Sequence, residues 1–168
     1  MSDPLVRLAR QSIRAHLSGG DPHRTLADRF NDPPQGCFVS LKLHSRLRGC
    51  IGTILPSQPT LEQEVVTNAI AAATRDPRFD ALRLEELEAI TISIDLLSPP
   101  EPVQSTGELD PARFGLVLRA GEKCGVLLPD LPGVETVAQQ IEICRKKARI
   151  ADEEPAVMER CQVIRIEE

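Results

Sequence analysis

The sequence predicts an α+β fold in which a mixed or antiparallel sheet of hairpins carries flanking helices. Three observations point there. Strand-like runs come as hairpin pairs, 37–43 with 47–55 and 115–120 with 123–128. Runs with apolar residues at helical spacing stand before and after those pairs. The order hairpin–helix–strand occurs twice, over 37–97 and 115–166, which reads as two similar halves. Strands grouped as hairpins between helices argue against a doubly wound parallel sheet.

Asp3 before Pro4 is a helix start, the carboxylate as N-cap and the proline in the first turn. Leu5, Leu8, Ala9, Ile13 and Leu17 then form an apolar stripe that Gly19-Gly20 ends. His16 lies off the stripe and reads as solvated. Residues 21–36 are a connector with three prolines, containing His23 and one expected helical turn over Leu26 to Phe30. In the strand 37–43, Cys37, Val39, Leu41 and Leu43 share a face. Its partner 47–55 follows a turn at His44-Ser45-Arg46, which places Cys50 across from Leu41 to Leu43.

Thr60 opens a second helix, with Gln63 at capping-box spacing and Leu61, Val65, Ala69 and Ala72 as its stripe. Asp76-Pro77 ends it. Glu85-Glu86-Leu87 makes a helical turn. The strand 89–97 puts Ile90, Ile92, Ile94 and Leu96 inward, with Thr91, Ser93 and Asp95 on a polar, solvated face. Three prolines start a loop reaching to about Arg113. After the second hairpin, Val134, Val137, Ile141, Cys144 and Ala148 mark the last helix. Glu135 falls in its first turn, and Arg145, Lys146, Lys147 and Arg149 in its last, as the helix dipole favours. A closing strand covers 161–166.

The chain has 168 residues, enough for one domain with two lobes, roughly 1–98 and 99–168. Apolar residues make 41% and charged residues 27%, which excludes disordered, collagen-like and coiled-coil classes. No run approaches the ~18 apolar residues of a membrane span, and the first residues lack the apolar core of an export signal, so a cytoplasmic location is expected. The net charge of −5 argues against a nucleic-acid coat. With four Phe, no Tyr and no Trp, stacking platforms for bases are nearly absent. Five cysteines without a CxxC pair read as reduced thiols. The three histidines match no zinc spacing, and phosphate-cradling glycine motifs are missing, so neither metal nor cofactor is expected.

The segment 47–53, LRGCIGT, is the strongest chemical feature. Two glycines flank a cysteine in a strand, where glycine is unfavourable unless something approaches the backbone closely. Arg48 and Cys50 stand two apart and so share a strand face, and a guanidinium beside a thiol favours thiolate. No acidic residue occurs from 33 to 61, while Lys42, Arg46 and Arg48 are basic. The competing reading makes Cys50 a small core residue and the glycines packing devices. His44 is the histidine within reach as a base, and Asp95 is a second polar candidate. Cys37, Cys124, Cys144 and Cys161 read as structural.

The segments PQGCFVSL (34–41), LRGCIGT (47–53), NAIAAATRDPRF (68–79), ELEAITISIDLLSPPEPV (86–103) and LVLRAGEKCGVLLP (116–129) resemble, in this order, the AMMECR domain family, with a match running from about residue 5 to 167. The resemblance implies two lobes with a cleft and a site lined by Arg48, Gly49, Cys50 and Gly52. Asp76, Pro77, Arg78 and Phe79 are expected nearby. It also implies partnership with a Memo-type protein and a radical-SAM protein in a shared pathway. The family name carries no reaction. Three positions depart from the family pattern: Phe114-Gly115 replaces a common His-Gly, Arg149 replaces a glycine, and Gly133-Val134 replaces Gly-Trp.

Catalytic roles are therefore expected for Cys50 and Arg48, and binding roles for His44, Gly49, Gly52, Asp76, Arg78 and Phe79, at a cysteine-centred small-molecule site. The alternatives are a non-catalytic protein-interaction module and, third, a nucleic-acid-associated factor.

Overall fold

A computed structural model of the chain describes residues 3–26 and 32–168. Its elements divide into two units, Met1–Leu96 with Ile164–Glu168, and Leu97–Val163.

In the first unit, the Asp3 carboxylate accepts the Leu5 N–H at 2.8 Å and starts α1 (Pro4–Leu17). Strands β1 (Cys37–Leu43), β2 (Arg46–Gly52) and β3 (Ile90–Leu97) form an antiparallel sheet in the order β2–β1–β3. Thr60 caps α2 (Leu61–Thr74) by accepting the Gln63 N–H. One face of the sheet supplies Cys37, Val39, Leu41, Ile92 and Ile94 to the core, where Val6, Ala9 and Ile13 of α1 and Val65, Ala69 and Ala72 of α2 cover them. A single 3-10 helix spans Leu84–Ala89, and another spans Pro22–Leu26. The helical turn expected over Leu26 to Phe30 falls largely on 27–31, outside the described residues.

The β1–β2 hairpin corrects the expected register. His44 and Ser45 both take positive φ, 49° and 64°, so the turn is a two-residue one of the primed kind built without glycine. A bulge then intervenes: Leu41 faces Gly49 while Lys42 faces Leu47, which leaves Arg48 as the extra residue. Strict alternation from Arg48 to Cys50 is therefore broken, and Cys50 lies across from Ser40 rather than Leu41 to Leu43. The strand also stops at Gly52, short of residue 55.

In the second unit, β4 (Glu101–Pro102), β5 (Phe114–Ala120), β6 (Lys123–Leu127) and β7 (Val157–Glu167) are antiparallel in the order β4–β7–β5–β6. The last residues of β7 belong with the first unit. Helix α3 (Val137–Ala148) starts three residues later than Val134, because Thr136 and Gln139 form a reciprocal capping box there. Glu135 consequently precedes the helix. Leu116, Leu118, Leu127 and Cys144 centre this unit's core.

The two units repeat one another in their contacts. In each, the returning strand pairs with the first strand of the hairpin: Ser40 faces Ser93, and Val117 faces Glu159. In each, a glycine of the second hairpin strand backs onto the helix. A Cβ at Gly49 would stand 2.1 Å from the Ala72 carbonyl oxygen, and one at Gly125 would stand 2.6 Å from that of Cys144. In each, a buried helix amide donates to the first carbonyl of the hairpin, Asn68 to Cys37 at 3.0 Å and Gln140 to Phe114 at 2.9 Å.

Candidate functional site

The inner strand face of the first unit is apolar, and the opposite face is not. Cys50, Ser40 and Ser93 stand side by side across β2, β1 and β3, because paired residues in an antiparallel register point the same way. Phe38 and Asp95 form the next row, across from Gly52. Ser93 is 6% exposed and Asp95 2%. At Ser93 and Asp95 the polar face of β3 is thus buried, not solvated as its alternation suggested, while Thr91 is exposed as expected; Arg165 holds Asp95 at 2.7 Å.

The half-buried Cys50 thiol accepts a hydrogen bond from the Ser40 hydroxyl at 3.2 Å. The backbone of Cys50 is held from the outside of the sheet. Its N–H donates to the Asp76 carboxylate at 2.9 Å, and its carbonyl accepts from the Arg78 guanidinium at 3.4 Å. The strand β2 is a sheet edge, and the Asp76–Arg78 fork occupies the place where a further strand would bond. This explains physically why the RGCIG and DPRF segments go together. The Arg78 guanidinium at 2.7 Å holds Asp76 down, to a pKa of about 2, helped by the N–H groups of Cys50 and Arg78. In return Asp76 foremost, and the Cys50 sulfur more weakly, hold Arg78 above its ordinary value.

The other expected site residues are placed as follows. Arg48 makes a paired contact with Glu86, Nε to Oε1 at 3.0 Å, and donates to the Asp80 carbonyl at 2.9 Å. Those bonds hold Glu86 below the usual carboxylate range. Arg78, rather than Arg48, is thus the cation electrostatically coupled to the thiol. Gly49 is required by α2, and Gly52 by Phe38, whose ring would lie 2.3 Å from an added Cβ. Phe79 is half-buried, with the Arg78 guanidinium 5.6 Å from its ring centre. His44 is exposed in the hairpin turn, where a shallow depression is lined by Leu43, His44, Arg46, Leu47 and Arg48. It has no hydrogen bond or ion pair among the described residues.

Three features escaped the sequence. Glu64 is fully buried; burial alone would raise its pKa, but bonds from Thr53, Ser57 and Gln58 prevail and hold it low. It ties down the segment after β2. Asn68 links that network to Cys37. Ser93 is the third. A glutamate at helix position Glu64, on the apolar side of α2, was the one available signal. Cys124, expected to be structural, is instead exposed, with Arg119 at 3.5 Å from its sulfur. Burial pushes the thiols of Cys37 and Cys144 to about 12 and that of Cys161 to about 11. In the second unit Phe114 lies under two guanidinium groups, Arg160 at 4.5 Å and Arg113 at 5.3 Å from its ring centre.

Among the described residues no group of three or more His, Cys, Asp or Glu side chains could hold a metal ion, and no helix is long and apolar enough to cross a membrane.

Comparison with known proteins returns one family. The AMMECR1 family model matches residues 6–167. A Thermotoga maritima protein is 42% identical over 153 residues, covering 89% of this chain and 88% of its own length. A Clostridium acetobutylicum protein is 41% identical over 170 residues, and there the chain spans only 36% of the relative's length. The crystal structure of the uncharacterized protein PH0010 from Pyrococcus horikoshii superposes with a TM-score of 0.83 at 27% identity, covering 98% of this chain and 89% of that one.

Proposed function

The chain belongs to the AMMECR1 family, and from that premise we propose that it carries a cysteine-centred small-molecule site on the polar face of its first sheet. One observation carries this reading. Cys50 is a half-buried thiol that accepts the Ser40 hydroxyl at 3.2 Å beside the Arg78 guanidinium, whereas Cys37, Cys144 and Cys161 are sealed. Reaction at a cysteine needs an accessible sulfur, and Cys50 is half-buried where those three are buried. Cys50 is the reacting group. Ser40 bonds its sulfur, and the Asp76–Arg78 fork holds its backbone in place. No histidine bonds to the thiol among the described residues, so Cys50 acts as an acceptor or carrier rather than as half of a thiol–imidazole pair.

The family resemblance adds that the site works in a pathway with a Memo-type and a radical-SAM protein. The longer Clostridium relative, in which this region is one part of a larger chain, supports work beside a partner.

A second reading, a non-catalytic interaction module, is favoured by a different observation. Arg48, Gly49, Gly52, Asp76 and Arg78 all find their partners inside the fold. Alkylation of native protein by iodoacetamide from acid to alkaline pH, read peptide by peptide, separates the two. Under the site reading Cys50 reacts at or below neutral pH. A Cys50 that stays protected until the protein unfolds removes it. Co-purification with partners that survives Cys50→Ala supports the module instead.

A further inference from the structure

The β1–β2 hairpin ends in a surface that the Cys50 site does not use. His44 and Ser45 at its tip hold φ of 49° and 64°. Non-glycine residues adopt that left-handed conformation at a cost, so the tip keeps side chains where glycine would be less strained. Lys42, His44 and Arg46 are exposed, and none has a hydrogen bond or ion pair among the described residues. No acidic residue occurs from 33 to 61 to answer them. Arg48 beside them is already matched by Glu86 at 3.0 Å. The unmatched positive charge of the tip is therefore that of Lys42 and Arg46.

Two leucines lie among these cations. Leu43 faces Arg46, and Lys42 faces Leu47 in the row behind. Leu43 packs on the core beneath, whereas Leu47 is 42% exposed. Both leucines, with His44, Arg46 and Arg48, line a depression of about 410 Å³. Lys42 also faces Thr91 of β3, so Leu47, Lys42 and Thr91 form an exposed row. The row crosses two strand spacings, about 10 Å, which an extended segment of about three or four residues spans.

Charge complementarity names the occupant. Two unmatched cations beside an exposed leucine suit a segment with carboxylates next to an apolar side chain. A nucleic acid fits less well. Two cations neutralise few phosphates, the chain has no Tyr or Trp for stacking, and a phosphate backbone has nothing to place on Leu47. A depression built by one hairpin covers one side of its occupant, which suits a chain held at several points rather than a free small molecule.

We propose that the β1–β2 hairpin tip docks an acidic peptide segment of a partner protein, with carboxylates on Lys42 and Arg46 and an apolar side chain over Leu47. The inference rests on the interaction-module reading and involves neither Cys50 nor Ser40 nor Arg78.

The experiment titrates the isotope-labelled full chain with the peptide acetyl-Glu-Glu-Leu-Glu-Glu-amide at low salt and reads backbone amide chemical shifts. Saturable shifts centred on residues 42–48 are expected. They weaken at about 0.15 M salt, where charges are screened beyond about 8 Å. The counterpart peptide with Gln for Glu leaves them unmoved. Lys42→Glu combined with Arg46→Glu lowers the affinity by about 10-fold. Both side chains are exposed and unbonded, and the same spectra report that the fold is kept. The two peptide arms need no variant. Equal binding of the Gln peptide, or an affinity unchanged in the double variant, overturns the proposal. So does a thymidine oligonucleotide of equal charge that binds the tip more tightly, which makes the surface a phosphate site. Shifts at 42–48 that follow dilution of the protein alone make a second copy the occupant and also overturn it. Saturable shifts centred elsewhere overturn the hairpin as the docking place and leave the interaction-module reading standing. No saturable shift anywhere counts against both.

Discussion

Asp76 shows how one side chain serves both the fold and the site. It takes the edge N–H of Cys50 and three donors from Arg78. Its folded pKa of about 2 lies below the ordinary carboxylate value, so it adds stability that is fully present above pH 4 and is lost as pH falls through about 2. With the half-exposed Arg78 partly screened, that contribution is about 1–2 kcal/mol. Asp76→Asn is expected to lower stability at neutral pH and to flatten the acid limb of a denaturant-midpoint series measured down to pH 2. An acid limb identical to wild type would show that the carboxylate charge is not what holds Cys50. The cysteines make a second residue-scale prediction. Cys37, Cys144 and Cys161 should resist alkylation in the native state at pH 8, because burial pushes each thiol up to about 11 or 12. Labelling of any of them as fast as Cys124 would contradict that burial.

At the scale of elements, close packing decides two substitutions of opposite sign. Gly49→Ala drives a methyl into the Ala72 carbonyl, backbone against backbone, with no flexible side chain to give way. A loss of at least about 1–3 kcal/mol is expected in chemical denaturation. Arg149 caps α3 at φ 56°, the left-handed conformation that glycine adopts without a Cβ penalty. Arg149→Gly is therefore expected to stabilise the protein by about 1 kcal/mol, with a rise in the thermal midpoint as the readout. Unchanged or lower stability would mean that the arginine side chain makes up for its backbone strain. The resemblance flagged Arg149 as a departure, and the helix end shows its physical cost. The hairpin turn was harder to read. His44 and Ser45 adopt the conformation usually signalled by Asn-Gly, so the sequence carried no mark of it. The bulge at Arg48 left no mark either.

At the scale of the whole molecule, the chain end returns to the first unit. Arg165 pairs with buried Asp95, Ile166 packs on the core, and the Glu168 carboxylate joins Arg10 and the Ile92 N–H. Removing Ile164–Glu168 leaves Asp95 uncompensated, a change expected to cost about 3–5 kcal/mol. Hydrogen exchange should then quicken across β1, β3 and α2, while β5, β6 and α3 keep their protection. Equal loss in both units would refute this assignment of the terminus. The sequence by itself determined the element types, the paired hairpins, the recurrence of hairpin, helix and strand, and the family. Those rest on local signals: apolar period, caps and contiguous motifs. Even the place of Cys50 in a strand between two glycines was legible. Only the tertiary structure decided which neighbours each of these residues meets. The bulge sent Arg48 to Glu86, the edge of β2 drew Asp76 and Arg78 to Cys50, and the antiparallel register set Ser93 two strands away in the same row. Contacts between residues distant in the chain depend on register and burial, and a one-residue bulge changes both while leaving every local pattern intact.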